Sequence, residues 1–207
     1  MSAESTRDRI LEAALVLAEQ RSWERLRLHD VAAELKLGLN DVRVHFREKE
    51  DLIDAWFDRA DAAMLDEVVK PELLALSPRD RLHRLMMVWF TALTPHRSVT
   101  RQMIGGKLEP GHVHYQYAGL LRVSRTVQWW REAARREAAL PWRALEEAGL
   151  TAIYLAAFFY WMRDDSEHAR RTSLFLDSLL ARAERLTRWF PGYVRPSAAS
   201  GVATREQ

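Results

Sequence analysis

Six polar side chains in one short stretch of this chain, Arg27, Asn40, Arg43, His45, Arg47 and Lys49, are of the types that recognise nucleic acid. An arginine can pair with the O6/N7 edge of guanine and an asparagine with adenine, while His, Lys and Arg hold phosphates. Asn40, Arg43 and Arg47 are spaced to share one side of a short helix, with His45 nearby. Leu39, Val42 and Phe46, at i, i+3 and i+7, make the opposite, anchoring side. Lys49-Glu50-Asp51 then opens another helix, whose first N–H groups can bind a phosphate together with the Lys49 ammonium.

Positioning that face takes two short helices and a turn. Val31, Ala32 and Leu35 give Asp30 to Lys36 an apolar stripe, Leu37-Gly38 interrupts it, and Gly38 suits a turn or helix N-cap. From Arg27 to Leu52 the pattern is therefore helix, turn, helix, followed by a third helix. The same unit also occurs purely as a packing element in all-α proteins, so spacing alone leaves both readings open.

Residues Arg9 to Asp61 resemble the DNA-binding domain of the TetR family of bacterial transcriptional regulators, most closely in HFREKEDL at His45 to Leu52. The resemblance implies that His45 and Lys49 contact DNA phosphates. Two departures bear on it. Lys36 stands where the family has a turn glycine, and its Cβ makes a left-handed backbone cost about 1 kcal/mol or more. Asn40-Asp41-Val42-Arg43 replaces the family's Gly-Thr-Leu-Tyr: Arg43 can serve as a phosphate or guanine contact, whereas Asp41 carries the wrong charge for DNA. A carboxylate in a first helical turn also favours the helix dipole and caps free N–H groups.

Composition sets the bounds. The 207 residues are 48% hydrophobic, ample for a packed core, and contain no cysteine, which excludes disulfides and thiolate metal sites. The longest mainly apolar run, Leu150 to Met162, would span roughly 20 Å as a helix, short of the ~30 Å bilayer core, and no signal peptide is visible. A soluble, cytoplasmic protein is expected. The net charge of +2 hides an asymmetry: residues 1–64 hold ten Lys/Arg and fourteen Asp/Glu, a net of −4, leaving +6 for the remainder. An acidic head handicaps DNA binding unless its acids are turned elsewhere.

Helical periodicity continues to the end. The expected helices begin at a capping box at Ser5–Asp8, run from Lys49 to about Val68, start again behind Ser77-Pro78, and then cover 97–107, 115–139, 142–162 and 166–189. No strand alternation competes. The expected fold is all-α, with a three-helix helix-turn-helix head (1–52), a larger helical ligand-binding and dimerisation domain (53–190) and a disordered tail (191–207). The C-terminal two-thirds of the chain holds six of the eight Trp, and Met86, Trp89, Met103, Trp129, Tyr154, Phe158 and Trp161 are the residues expected to line an apolar pocket. Such stripes also serve as plain core. The TetR resemblance implies a small effector, here hydrophobic, an operator in double-stranded DNA, and a homodimer formed through the last two long helices.

The segment AIYLAAFFYWMRDDSEHARRTSLFLDSLL is similar to a second group, the TetR-fold lipid-binding accessory proteins of ubiquinone biosynthesis. That resemblance implies an isoprenoid or lipid ligand and a head that does not bind DNA. His112 and His114 lack acids or cysteines at ligand spacing, so no metal is expected. No phosphate loop or nucleophile setting occurs, so neither cofactor nor enzyme activity is expected.

Overall fold

Helix is the only regular structure among the described residues of the computed structural model, which are 5–107, 113–136 and 142–187, the side chains of 106–107, 113–121 and 187 excepted. In chain order the helices are α1 (Thr6–Arg21), α2 (Leu28–Glu34), α3 (Leu39–His45), α4 (Glu50–Asp66), α5 (Pro71–Ala75), α6 (Pro78–Leu93), α7 (Arg97–Lys107), α8 (Val113–Ala133), α9 (Trp142–Trp161) and α10 (Arg170–Thr187). Short 3₁₀ turns at 67–69, 94–96 and 167–169 lie between them.

The helix starts follow the sequence signals. Ser5 Oγ accepts the Asp8 N–H at 3.2 Å ahead of α1, and Ser77 Oγ accepts the Asp80 N–H at 3.2 Å ahead of α6. Several expected limits shift. The helix placed at Asp30–Lys36 begins two residues earlier, because Asp30 accepts the Arg27 N–H at 3.1 Å and so sits inside the first turn. The single turn α5, with Pro71 at its first position, was not apparent from the pattern. The helix expected over 115–139 runs 113–133 instead, so His114 is helical, and a residue of positive φ, Arg135 at 53°, follows its end. The last helix begins at Arg170 rather than Ser166, after the 3₁₀ turn at 167–169. The tail expected at 191–207 lies outside the described residues.

By contact the chain divides into two units, residues 1–63 with 89–123, and residues 64–88 with 124–207. The expected cut after residue 52 follows linear order, whereas these units group residues by packing.

In the first unit α1 buries Ile10, Leu11, Ala14, Leu15, Leu17 and Ala18, joined by Leu26, Val31, Phe46, Leu52 and Trp56. Residues near 100 close this core. The Trp56 indole N–H donates to Thr100 Oγ1 at 2.9 Å, and the Trp23 backbone N–H to Gln102 Oε1 at 2.6 Å. Glu19 and Glu12 each place a carboxylate oxygen against a His96 ring nitrogen, at 2.8 and 3.1 Å, and Arg59 donates to Glu12 at 2.8 Å. Glu12 is consequently held below the ordinary carboxylate range: burial pushes it up, but the bonds from Arg59 and His96 outweigh that. Buried Asp61 accepts from the Trp89 indole at 2.8 Å and from Arg122 at 2.9 Å, and Arg122 also pairs with Asp58.

In the second unit the Trp130 indole donates to the Leu82 carbonyl at 2.9 Å. Glu67, almost fully buried, takes Lys70 and Arg84, each at 2.6 Å, and Arg131 bridges Glu146 and Glu147. Helices α9 and α10 pack as a hairpin, with Tyr160 stacked on Phe175 at 4.5 Å. The hairpin is closed by Asp164, which accepts from the Ser166 N–H (2.9 Å), the Thr172 N–H (2.8 Å) and the Thr172 hydroxyl (2.7 Å). The sequence offered Asp165 or Ser166 for that cap, and Ser166 Oγ does accept the Arg171 N–H at 3.0 Å.

Candidate nucleic-acid interface

The turn before α3 is a Schellman motif. Leu37 N–H reaches the Ala32 carbonyl at 2.9 Å and Lys36 N–H the Ala33 carbonyl at 3.2 Å, with Lys36 left-handed at φ 56°. The residue standing where glycine is usual thus adopts the glycine conformation. Gly38 caps α3, and Asp41 reaches back to accept the Gly38 N–H at 2.9 Å. Asp41 therefore serves the helix start, and part of its charge is spent there.

Val42 and Phe46 are buried and fix α3 to the core, with the Arg7 guanidinium 5.2 Å from the Phe46 ring centre. Leu39, expected on the same buried side, is 57% exposed. It occupies the first position of α3, where the helix has barely begun to turn toward the core. Val44, which the spacing did not single out, is 74% exposed. Both give the outer face apolar surface of the kind that meets a thymine methyl.

The six expected contact residues fall into two sets. Asn40, Arg43, His45 and Arg47 are exposed, and their side chains have no hydrogen bond or ion pair within the described chain. Arg27 and Lys49 are engaged instead. Arg27 donates to the carbonyls of Glu24 (2.7 Å) and Leu26 (3.2 Å), and Lys49 donates to those of Trp23 and Glu24 (3.3 Å). The Lys49 ammonium is pushed below its ordinary pKa by burial, then by the Arg27 charge, with Glu50 and Glu24 opposing. Two cations thus converge on the α1–α2 loop carbonyls, a tertiary arrangement that linear spacing does not reveal.

The acids of the head are largely answered from within. Asp30 pairs with Arg21 at 3.1 Å, Glu12 with Arg59, and Asp58 and Asp61 with Arg122, while Asp51 accepts the Arg47 and Glu48 N–H groups at 2.7 and 3.1 Å. Residues 89–123 add four Lys/Arg and one Glu, which takes the −4 of residues 1–63 to −1 for the whole unit.

Of the residues expected around an apolar pocket, Trp89 and Met103 lie in the first unit and Met86, Trp129, Tyr154, Phe158 and Trp161 in the second. Six are buried, with Trp89 stacked on Phe57 (5.8 Å), and Phe158 stacked on Tyr154 (5.9 Å) and on Trp161 (6.0 Å). Trp129 is 46% exposed, so it does not belong with them; its neighbour Trp130 faces the core, one helical step of 100° away. Two surface clefts, of about 360 and 320 Å³, are lined by other residues. Among the described residues no helix is long and apolar enough to cross a membrane, and no group of three His, Asp or Glu is placed to hold a metal ion.

A solved TetR transcriptional regulator from Nitrosomonas europaea ATCC 19718 is 50% identical to this chain, covering 86% of it and 98% of its own length, with a TM-score of 0.78. With that identity across nearly the whole relative, and with the helix-turn-helix head described above, this chain belongs to the TetR family of transcriptional regulators. A TetR regulator from Rhodococcus sp. RHA1 (20% identity, TM-score 0.60, 83% of this chain and 93% of that one) and PfmR from Thermus thermophilus (19%, 0.53, 84% and 98%) share the fold. The COQ9 family model matches residues 147–187, which form most of the α9–α10 hairpin. No curated protein matches the chain.

Proposed function

We propose that this protein is a DNA-binding transcriptional regulator that reads its operator as a homodimer and is controlled by a hydrophobic small molecule. The observation that carries the reading is α3. Val42 and Phe46 hold it to the core, while Asn40, Arg43, His45 and Arg47 stand outward with no internal partner among the described residues. Three donor-bearing side chains left unpaired on one anchored helix, Asn40, Arg43 and His45, with Arg47 not on the helix as its spacing suggested but two residues beyond its end, match what base edges and phosphates require. His45 and Arg47 hold phosphates and Arg43 and Asn40 read bases, with Lys49 and Arg27 supporting the register. The dimer forms through α9 and α10, where Leu145, Leu174 and Leu186 are exposed, as an isologous four-helix contact. The effector occupies the helical domain, against the aromatic residues Tyr154, Phe158 and Trp161 of α9, and the protein works in the cytoplasm.

The test is a binding titration against operator candidates selected from random duplex DNA, across a range of salt. Expected are sequence-selective binding, an affinity falling linearly with salt on logarithmic axes, and paired α3 helices about 34 Å apart in the dimer. No measurable affinity for any duplex at physiological salt overturns the reading.

One observation favours a second reading, a lipid or isoprenoid carrier with an idle head: the COQ9 match falls on the segment that exposes Phe159, Tyr160, Leu174 and Leu186. Under that reading, substitutions at Arg43 or Arg47 leave function unchanged and co-purifying lipid is found.

A further inference from the structure

At the closed end of the α9–α10 hairpin lies a cleft of about 360 Å³, lined by Ala156, Phe159, Tyr160, Arg163, Asp164 and Arg171. That volume is at the lower end of the ~300–1,000 Å³ typical of small-molecule sites. None of these six residues belongs to the DNA-reading face or to the aromatic residues assigned to the effector.

The cleft has an apolar wall and a charged rim. The wall is Phe159, Tyr160 and the Ala156 methyl; the Tyr160 ring is held in place by its stack on Phe175, so the surface is preformed. The rim is two guanidinium groups. Arg163 makes one bond, from Nη1 to the Phe159 carbonyl at 3.1 Å, and no ion pair among the described residues. The Arg171 side chain makes neither a hydrogen bond nor an ion pair among them; it is its backbone N–H that bonds to Ser166.

The one carboxylate in the lining does not answer them. Both oxygens of Asp164 are taken by Ser166 and Thr172, and the side chain is buried. Arg171 also stands in the first turn of the 18-residue α10, where the helix dipole adds to its attraction for an anion.

We infer that this cleft binds a small carboxylate with an aromatic or short aliphatic body, its carboxylate held by Arg163 and Arg171 and its body laid against Phe159 and Tyr160. Planar guanidinium groups take a carboxylate through paired, parallel hydrogen bonds, and a rigid aromatic wall selects the apolar remainder. The inference is independent of whether α3 binds DNA.

Calorimetric titration of the full chain with 2-naphthoate and with octanoate, each beside its neutral alcohol, tests it. The expected result is saturable binding of at least one acid, at least tenfold tighter than its alcohol, weakened tenfold or more in both Arg171→Ala and Arg163→Ala while both variants melt like the parent. Preference between the two acids tells an aromatic from an aliphatic body. The proposal is overturned if neither acid binds at millimolar concentration, if acid and alcohol bind alike, or if the arginine variants bind unchanged. Sedimentation is run in parallel: a loss of dimer in Arg171→Ala without acid binding in the parent assigns the cleft to a second copy of the chain and likewise overturns the proposal.

Discussion

The Lys49 ammonium sits over the Trp23 indole, 4.8 Å from the ring centre, and donates to that residue's own carbonyl oxygen. The start of α4 is thereby tied to the loop between α1 and α2, and that loop sets the entry of the helix-turn-helix. Lys49→Met keeps the aliphatic stem but removes every donor. The expected cost is about 1–3 kcal/mol, a melting temperature several degrees lower, and weaker binding to specific and random DNA alike. Thermal melts beside anisotropy titrations check it; an unchanged melt with lost affinity would make Lys49 a direct phosphate contact instead.

Asp41 has two opposing effects, separable by substitution. Asp41→Asn keeps an oxygen to accept the Gly38 N–H and removes the charge, so stability should hold while affinity for any duplex rises and its salt dependence steepens. Asp41→Ala loses the cap as well, at about 1 kcal/mol, which a denaturant midpoint resolves.

Arg43 is the residue through which sequence preference should be lost. Arg43→Ala should cost about 1–3 kcal/mol on the selected operator and little on random DNA, narrowing the gap between the two. A uniform loss on both would assign Arg43 to the phosphates.

The Asp164 carboxyl is held at about 2: burial pushes it up, but the hydrogen bonds from Ser166 and Thr172 outweigh burial. Because the folded value lies below the ordinary 3.8, the stabilisation is complete above about pH 4 and is lost as the pH falls toward 2. It amounts to about 2 kcal/mol. Asp164→Asn should lose most of it at neutral pH and show a flatter stability profile between pH 4 and 2, as followed by urea midpoints at stepped pH.

Arg81 is 7% exposed, pairs with no acid among the described residues, and has an Nε atom without a hydrogen-bond partner. Burial, and then the charges of Arg135 and Arg136, push its pKa down. Arg81→Met retains the stem and removes an uncompensated charge, so the denaturant midpoint should rise by the equivalent of about 1 kcal/mol.

What was legible in the sequence is local. Ser5 and Ser77 announced two helix starts because their hydroxyls cap N–H groups only three residues away. The left-handed turn at Lys36 was not legible: its Cβ argues against that conformation, and the Schellman bonds around it impose the conformation all the same. The errors came from distance and phase. That Arg27 and Lys49 meet at the same loop carbonyl depends on folding residues 23–26 back onto α4, which no spacing encodes. Trp129 and Trp130 are adjacent and chemically identical, and only helical phase decides which of them is core.

Glu12 and Glu19 of α1 are bonded to His96, the Trp56 indole to Thr100, and the Trp23 backbone to Gln102. During synthesis on the ribosome, the helix-turn-helix segment therefore emerges well before the residues that close its core. These contacts wait until residue 102 has cleared the exit tunnel, which delays completion of the first unit as long-range pairing generally does. A fragment ending at residue 63 lacks the partners of all four bonds and should be less stable as a free-standing module; the shortest excised piece that retains these bonds must reach Gln102, inside α7.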